Sequence, residues 1–200
     1  PSIVNTFINQ AETRIYNTVQ FPSLRKNMTG VASTPPPYLS APNDYLATYS
    51  LAVIDADGNY EYLLNKDVNY IRQAYPSASD IGLPRYYALF GPTTSGSTIT
   101  NELTFILGPT PDATYTAELH YFYYPPSIVT AGTSWLGDNF DSVLLYGSLV
   151  EAYTYMKGET DMMQLYNQKY AEALGLAKRL GDGMERRDAY RSGQTRVAVP

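Results

Sequence analysis

The stretch "AELHYFYYPP", residues 117–126, constrains the fold more than any other part of this 200-residue sequence. Its residues favour a β-strand that ends at two prolines, and alternate residues of a strand face opposite sides of the sheet. One side would carry Leu119, Tyr121 and Tyr123, and the other His120, Phe122 and Tyr124. Neither side is polar, so the sequence predicts a strand that is covered on both faces.

Apolar residues at helical spacing lie on both sides of this strand region. They predict a first helix over residues 2–21, ended by Pro22, and a pair of helices over about 138–180 that meet at Gly158. Between about 46 and 126 the runs are strand-like, and "DADGN" is a strong hairpin turn. The Pro/Ser/Thr-rich "TGVASTPPPYLSAPNDY" predicts an extended connection, and residues 181–200, which lack an apolar stripe, predict an extended arm.

Together these elements predict an α+β fold with a mainly helical body. The N-terminal helix and a C-terminal antiparallel helix hairpin would form that body, with a small antiparallel β-sheet domain inserted between them. Residues 1–180 would form a single domain, followed by an extended C-terminal arm over 181–200. No apolar run approaches the length that a membrane-spanning helix needs, so no membrane contact is expected.

Charge is distributed unevenly along the chain. Residues 1–177 carry a net charge of −8 and residues 178–200 a net charge of +3, within a total of −5. An acidic body argues against binding to nucleic-acid phosphates, and the basic tail is typical of a docking arm for an acidic partner. The 20 tyrosines fit either an interface or a β-rich core, because tyrosine combines a large contact area with a polar end.

Catalytic and metal-binding patterns are absent from the sequence. The chain has no cysteine and one histidine, His120, and it contains neither a nucleophile elbow nor a phosphate-binding loop. "DADGNYE" lacks the acidic ligands that a calcium loop would add. We therefore expect no catalytic residue, no metal and no cofactor. Two alternatives stay open: a hydrolase that uses His120 with a nearby carboxylate, and a carbohydrate-binding module in which Trp135 and the tyrosines stack on sugars.

Several stretches, in this order, resemble the head–tail adaptor (connector) proteins of tailed bacteriophages. They are "FINQAETRIY", "APNDYL", "GLPRYYALFG", "GPTPDATYTAELHYFYYPP" and "WLGDNFDSVLLYGSLVEAYTYMKGETDMMQLYNQKYAEAL". The resemblance runs from about Phe7 to Leu174. The chain departs from the family at Ala41, where a bulkier apolar residue is usual, and in the long loop "PTTSGSTITN".

The resemblance implies a structural protein of the virion neck, made in the cytoplasm of a bacterial host. Such a protein forms a homo-oligomeric ring, typically of twelve copies, beneath the portal protein, with a tail, nozzle or stopper protein on the opposite side. Double-stranded DNA would pass through the ring without specific binding. The serious alternative is a stopper or another neck-ring component, which would bind the adaptor rather than the portal.

Two sets of residues are candidates for these contacts. The C-terminal arm would reach the portal, with five partner-binding residues: Arg186, Arg187, Tyr190, Arg191 and Arg196. The second face of the tyrosine-rich strand would lie beneath a neighbouring subunit, which makes His120, Phe122 and Tyr124 inter-subunit candidates.

Overall fold

The computed structural model describes the backbone of residues 2–32, 38–77, 79–95, 98–101 and 103–191, and the side chains of these residues except at 93–101 and 184–191. The chain divides into two compact units. Residues 1–24 and 124–200 form the helical unit, and residues 25–123 form the strand unit.

The elements follow one another along the chain in this order: α1 (Ile3–Thr18), a 3₁₀ turn (Pro22–Leu24), β1 (Arg25–Ala32), β2 (Tyr38–Ser40), β3 (Ala47–Ile54), β4 (Tyr60–Tyr62), β5 (Leu64–Asn65), α2 (Val68–Ala74), β6 (Tyr86–Phe90), β7 (Thr93–Ser95), β8 (Thr98–Asn101), β9 (Thr104–Gly108), β10 (Tyr115–Phe122), α3 (Ile128–Ala131), α4 (Trp135–Asn139), α5 (Asp141–Met156) and α6 (Thr160–Arg191).

In the helical unit, α5 packs against both α1 and α6. Gly147 of α5 lies where the three helices meet, because a Cβ there would sit 3.3 Å from Ala11 Cβ and 3.2 Å from a ring carbon of Tyr170. The buried carboxylate of Glu12 accepts a hydrogen bond of 2.9 Å from the backbone N–H of Ile128, where α3 begins. It thereby satisfies one of the free N–H groups at that helix start.

In the strand unit, two four-stranded sheets pack over one core. Sheet A has the order β1-β10-β3-β4 and is antiparallel throughout, and sheet B has the order β2-β9-β6-β5 with a parallel β5–β6 pair. The strands β7 and β8 form a separate hairpin. The core between the sheets contains Leu51, Val53, Tyr87, Phe105 and Tyr121, and α2 covers the other side of sheet B.

The prediction of a mainly helical body with one small sheet was wrong. Helices hold 45% and strands 27% of the described residues, so the fold is mixed, and the strands build two four-stranded sheets rather than one small one. The strand region also begins at Arg25, and the second half of β1, residues 29–32, lies in the stretch that was assigned to an extended connection. As an edge strand, β1 is exposed along most of its length and has no alternating apolar pattern to reveal it.

The prediction of an extended arm from residue 181 was also wrong, since α6 continues to Arg191. The arm was predicted because residues 181–200 lack an apolar stripe, but the helix continues through Gly181, where its packing calls for a glycine. A Cβ there would lie 2.9 Å from the carbonyl oxygen of Gln20. Beyond it "MERRDAYR" is rich in helix-forming residues, and extending an existing helix costs far less than starting one.

Polar groups at the margin of the strand unit's core centre on Asp44. Its Oδ2 accepts a hydrogen bond from Lys26 Nζ and its Oδ1 one from the Tyr121 hydroxyl, each at 2.8 Å. Burial alone would raise the pKa of Asp44, but these hydrogen bonds outweigh it and hold the pKa below its ordinary value. The charged carboxylate is therefore the form that the fold favours.

We expect Asp44→Asn to make the free energy of unfolding depend less on pH in the acidic range. A carboxyl group with a lowered folded pKa contributes stability above its unfolded pKa of about 4, and that contribution is lost as the pH falls through the folded pKa. The free energy of urea unfolding should therefore fall less between neutral pH and about pH 3 in Asp44→Asn than in the wild type. Asp57→Asn, at an exposed turn carboxylate, is the matched control. An equal fall in wild type and Asp44→Asn would contradict the assignment.

Candidate interaction surface

The side of sheet A that faces away from the core is here called the open face. It carries side chains from four strands, among them Arg25, Tyr49, Ser50, Tyr60, Tyr62, Glu118, His120 and Phe122. More than half of the surface of Tyr49, Tyr60 and Tyr62 is accessible to solvent. An exposed group of aromatic rings with an arginine is typical of a protein–protein interface.

One end of the open face is an aromatic cluster that includes a cation. Phe122 and Tyr49 meet edge to face with ring centres 6.1 Å apart. The Arg25 guanidinium lies 4.9 Å from the centre of the Tyr49 ring and 5.8 Å from that of Phe122. Register explains this arrangement, because Arg25 pairs with Phe122 across β1 and β10. The cluster is held in place without being buried, as suits a surface that binds as a preformed unit.

The middle of the open face is a line of hydrogen-bonded polar groups. Ser50 Oγ lies 3.3 Å from His120 Nδ1, and His120 Nε2 lies 3.3 Å from Glu118 Oε1. The charge of Glu118, together with a hydrogen bond to it, raises the pKa of Tyr60. Ser50 faces His120 directly across β3 and β10, so the strand register creates this line.

The serine, histidine and glutamate of this line have the composition of a hydrolytic triad, yet they stand on an exposed sheet surface. His120 is 42% exposed, and both distances of 3.3 Å are long for the hydrogen bonds of a nucleophile and its base. Preorganised donors for a developing oxyanion are usually the largest catalytic contribution, and a flat, wet surface weakens any such donor. The geometry therefore fits a structural role better than a catalytic one: these three side chains order one another across neighbouring strands of the open face.

The structure brings together two of the three predicted inter-subunit residues. His120 and Phe122 both lie on the open face, but β10 ends at Phe122 and Tyr124 belongs to the helical unit. There the Tyr124 ring stacks on Tyr16, with ring centres 6.4 Å apart, and its hydroxyl donates to Asn17. The alternation that placed Tyr124 beside Phe122 holds only while the chain remains a strand.

The predicted portal-contact residues are placed less completely. Arg186, Arg187, Tyr190 and Arg191 lie in the last two turns of α6, and Arg196 is outside the described residues. Arg187 and Arg191 are one helical turn apart. The backbone of residues 186–191 is therefore helical, whereas the prediction made it an extended peptide.

Six of the named residues of the open face were not identified from the sequence: Arg25, Tyr49, Ser50, Tyr60, Tyr62 and Glu118. Arg25 was missed because β1 itself was not predicted. Tyr49, Tyr60 and Tyr62 lie in two runs that were assigned as strands around the "DADGN" turn. Pairing those runs as a hairpin would have placed the two later tyrosines beside β3, but the order of β10 and β3 cannot be read from local pattern.

Other classes of site have little support in the described residues. Trp135 packs against Phe21 and Phe140, with ring centres 5.1 and 5.8 Å away, rather than presenting an open sugar-stacking platform. In the part of the chain that the structure describes, no group of three His, Asp or Glu side chains is placed to hold a metal ion. None of the described helices is long and apolar enough to cross a bilayer.

Comparison with known families agrees with a binding role. The family model of the SU10 adaptor protein matches residues 1–198, almost the whole chain, and the chain belongs to this family. The resemblance to phage head–tail adaptors is thereby confirmed. The family is one of structural phage proteins, and an adaptor associates with other virion components such as head and tail proteins. No curated protein sequence matches the chain.

Proposed function

We propose that this protein is a head–tail adaptor that forms a ring beneath the portal and links the DNA-filled head to the tail. The observation that carries the proposal is the family match over residues 1–198. The open face supports it, since a ring subunit needs preformed contact surfaces beyond those that hold its own core. On the far side of the ring a tail, nozzle or stopper protein would bind.

The charge distribution fits a ring through which DNA moves. The body of the chain, residues 1–177, has a net charge of −8. A channel lined by acidic surface repels the phosphate backbone, so DNA would pass without being held. Clustered lysines and arginines on the same surface would instead bind the DNA through its phosphates.

The end of α6 is the proposed portal contact. Residues 178–200 have a net charge of +3, and Arg186, Arg187 and Arg191 lie on the helix with Tyr190 between them. Arginine and tyrosine are the residue types most enriched at the centres of interfaces. A helix also loses less conformational entropy on binding than an extended arm would, because its backbone is already ordered.

The open face is the proposed contact with a neighbouring subunit. Phe122, Tyr49 and Arg25 form its rigid aromatic end, and His120 lies in its hydrogen-bonded centre. A neighbour that covers these groups would complete the burial of β10 on both faces. Burial on both faces would explain why β10 carries so few purely polar side chains.

Replacing Tyr49 and Phe122 together with serine tests this contact. Both rings are at the surface, so the fold should survive, but a phage that lacks its own copy of the gene should not be complemented by the double variant. We expect filled heads without tails and a loss of infectious titre of at least about a hundredfold, because central aromatic contacts dominate interface energies.

The matched control is Tyr38→Ser with Phe90→Ser, which removes the same two residue types from the exposed part of sheet B. Complementation by the control but not by the Tyr49/Phe122 variant supports the proposal. Normal tailed particles with the Tyr49/Phe122 variant would show that the open face is not needed for assembly, while circular dichroism confirms that both variants are folded.

A further inference from the structure

The helix α5 carries apolar side chains beyond the stripe that it buries. Its 16 residues include two charged side chains, Asp141 and Glu151. One side, with Val143, Gly147 and Val150, is buried in the helical unit. Leu145, Tyr155 and Met156 are at least half exposed. Large apolar side chains on a helix are normally buried, so the described part of the chain leaves these three without cover.

The uncovered side of α5 forms one wall of a groove. The N-terminal half of α1 forms the other wall, and the groove has a volume of about 670 Å³. Its lining includes Ile3, Val4, Leu145, Leu149, Tyr155 and Met156. Five of these six side chains are at least half exposed, at 50–65%. Contiguous apolar surface of this kind on a soluble protein marks a binding site.

A second apolar feature, here called the leucine stripe, lies on α6. It consists of Leu165, Leu176 and Leu180, which are 44%, 60% and 42% exposed. Spacings of eleven and four residues place all three on one side of the helix. The groove lining includes no residue of α6, so the groove and the stripe are distinct surfaces of the same helical unit.

We propose that the leucine stripe of one copy of this chain docks into the apolar groove of a second copy. A helix that inserts leucines spaced by whole turns into an apolar groove is a recurring mode of recognition. Joining two different surfaces makes a heterologous contact, which repeats from copy to copy and closes into a ring when the rotation allows. The inference thus rests on the proposed ring and names one of its subunit contacts.

Charge favours this occupant over others. The charged residue in the groove lining is Asp141, and Arg179 lies on the side of α6 that carries Leu176 and Leu180. Lys169 lies on that side too, but its charge is paired with Glu172 at 3.1 Å. A groove-to-groove contact would bring two Asp141 carboxylates toward each other and leave the leucines exposed. A lipid surface would favour basic residues around the groove rather than an aspartate.

Cysteine cross-linking can test the contact, because the chain has no cysteine of its own. Three double variants combine Leu176→Cys with Leu145→Cys, Leu149→Cys or Met156→Cys in turn, and each is oxidised at up to about 1 mM protein, where even weak association brings copies together. A disulfide needs Cα atoms within about 7 Å, so cysteines that the contact holds together will join much faster than cysteines that meet only by collision. We expect a ladder of covalent oligomers from at least one pair.

Single variants and a displaced pair complete the test. The displaced pair, Asn9→Cys with Leu176→Cys, moves one cysteine to the polar side of α1 and sets the slow rate of joining by collision. Leu145→Cys alone and Leu176→Cys alone should dimerise no faster than that rate, and a mixture of the two should give dimers faster but no longer chains. Dimerisation of Leu145→Cys alone well above the collision rate would show that grooves pair with each other and would overturn the proposal. So would the absence of a ladder from all three pairs.

The outcomes separate this contact from the proposed function. If no pair yields a ladder but the protein still joins virion necks, the groove has another occupant and only this contact is wrong. If ladders form but the protein binds neither portal nor tail components, the contact stands and the adaptor role is wrong.

Discussion

We expect replacement of Tyr121 by alanine to lower the free energy of unfolding by about 3–5 kcal/mol, the largest stability effect of any substitution considered for this chain. Tyr121 is fully buried between the two sheets, and its ring lies 6.0 Å from that of Tyr45. Alanine would leave a cavity in the centre of the core and would also remove a hydrogen bond to Asp44. Urea unfolding followed by circular dichroism measures the change.

Tyr121→Phe is the matched control for this effect. It keeps the ring and removes only the hydroxyl that donates to Asp44, so the cost should be about 0.5–1.5 kcal/mol. A loss in Tyr121→Ala no larger than in Tyr121→Phe would mean that the ring contributes little. In that case the core would not be centred on β10, contrary to the structure.

The second large effect is expected on portal binding. Replacing both Arg187 and Arg191 with glutamate should weaken binding to the portal by at least about a hundredfold, since reversing charges in an interface replaces attraction with repulsion. Substitution is a cleaner test than truncation at residue 181. Truncation would remove the end of α6 together with Gly181, which packs closely against Gln20. Calorimetric titration against a purified portal ring from the same phage measures the affinity.

A control with the same change in net charge separates the effect of the end of α6 from the effect of the protein's overall charge. Lys66→Glu with Arg85→Glu makes the same change in net charge in the strand unit. This control should bind the portal nearly as well as the wild type in about 0.15 M salt, where long-range electrostatic effects are screened. Equal weakening of both double variants would show that net charge, and not the end of α6, governs binding.

Strong local patterns in the sequence identified the core helices and the central strand. The apolar stripe of α1 and the two stripes of α5 and α6 follow helical spacing, and β10 alternates buried and less buried residues along its length. The inward residues of that strand, Leu119 and Tyr121, are buried as the alternation predicts. Periodicity was informative here because each element packs one face firmly against a partner.

Elements that do not pack one apolar face against a partner were missed or assigned the wrong structure. The edge strand β1 is exposed on most of its residues, so no alternation reveals it. The end of α6 has no apolar stripe, and Gly181 within it allows a close approach to Gln20. The open face depends on the pairing of β10 with β1 and β3, both distant from it in sequence, and therefore on register rather than on local pattern.

The claim that the protein is a portal-binding adaptor is tested most directly by native mass spectrometry of the purified chain, alone and mixed with a portal ring from the same phage. The account predicts that the chain joins the portal as a complete ring, and that it does so without any tail component. A chain that ignores the bare portal but binds a neck already carrying another adaptor would contradict the account, and would identify the protein as a stopper instead.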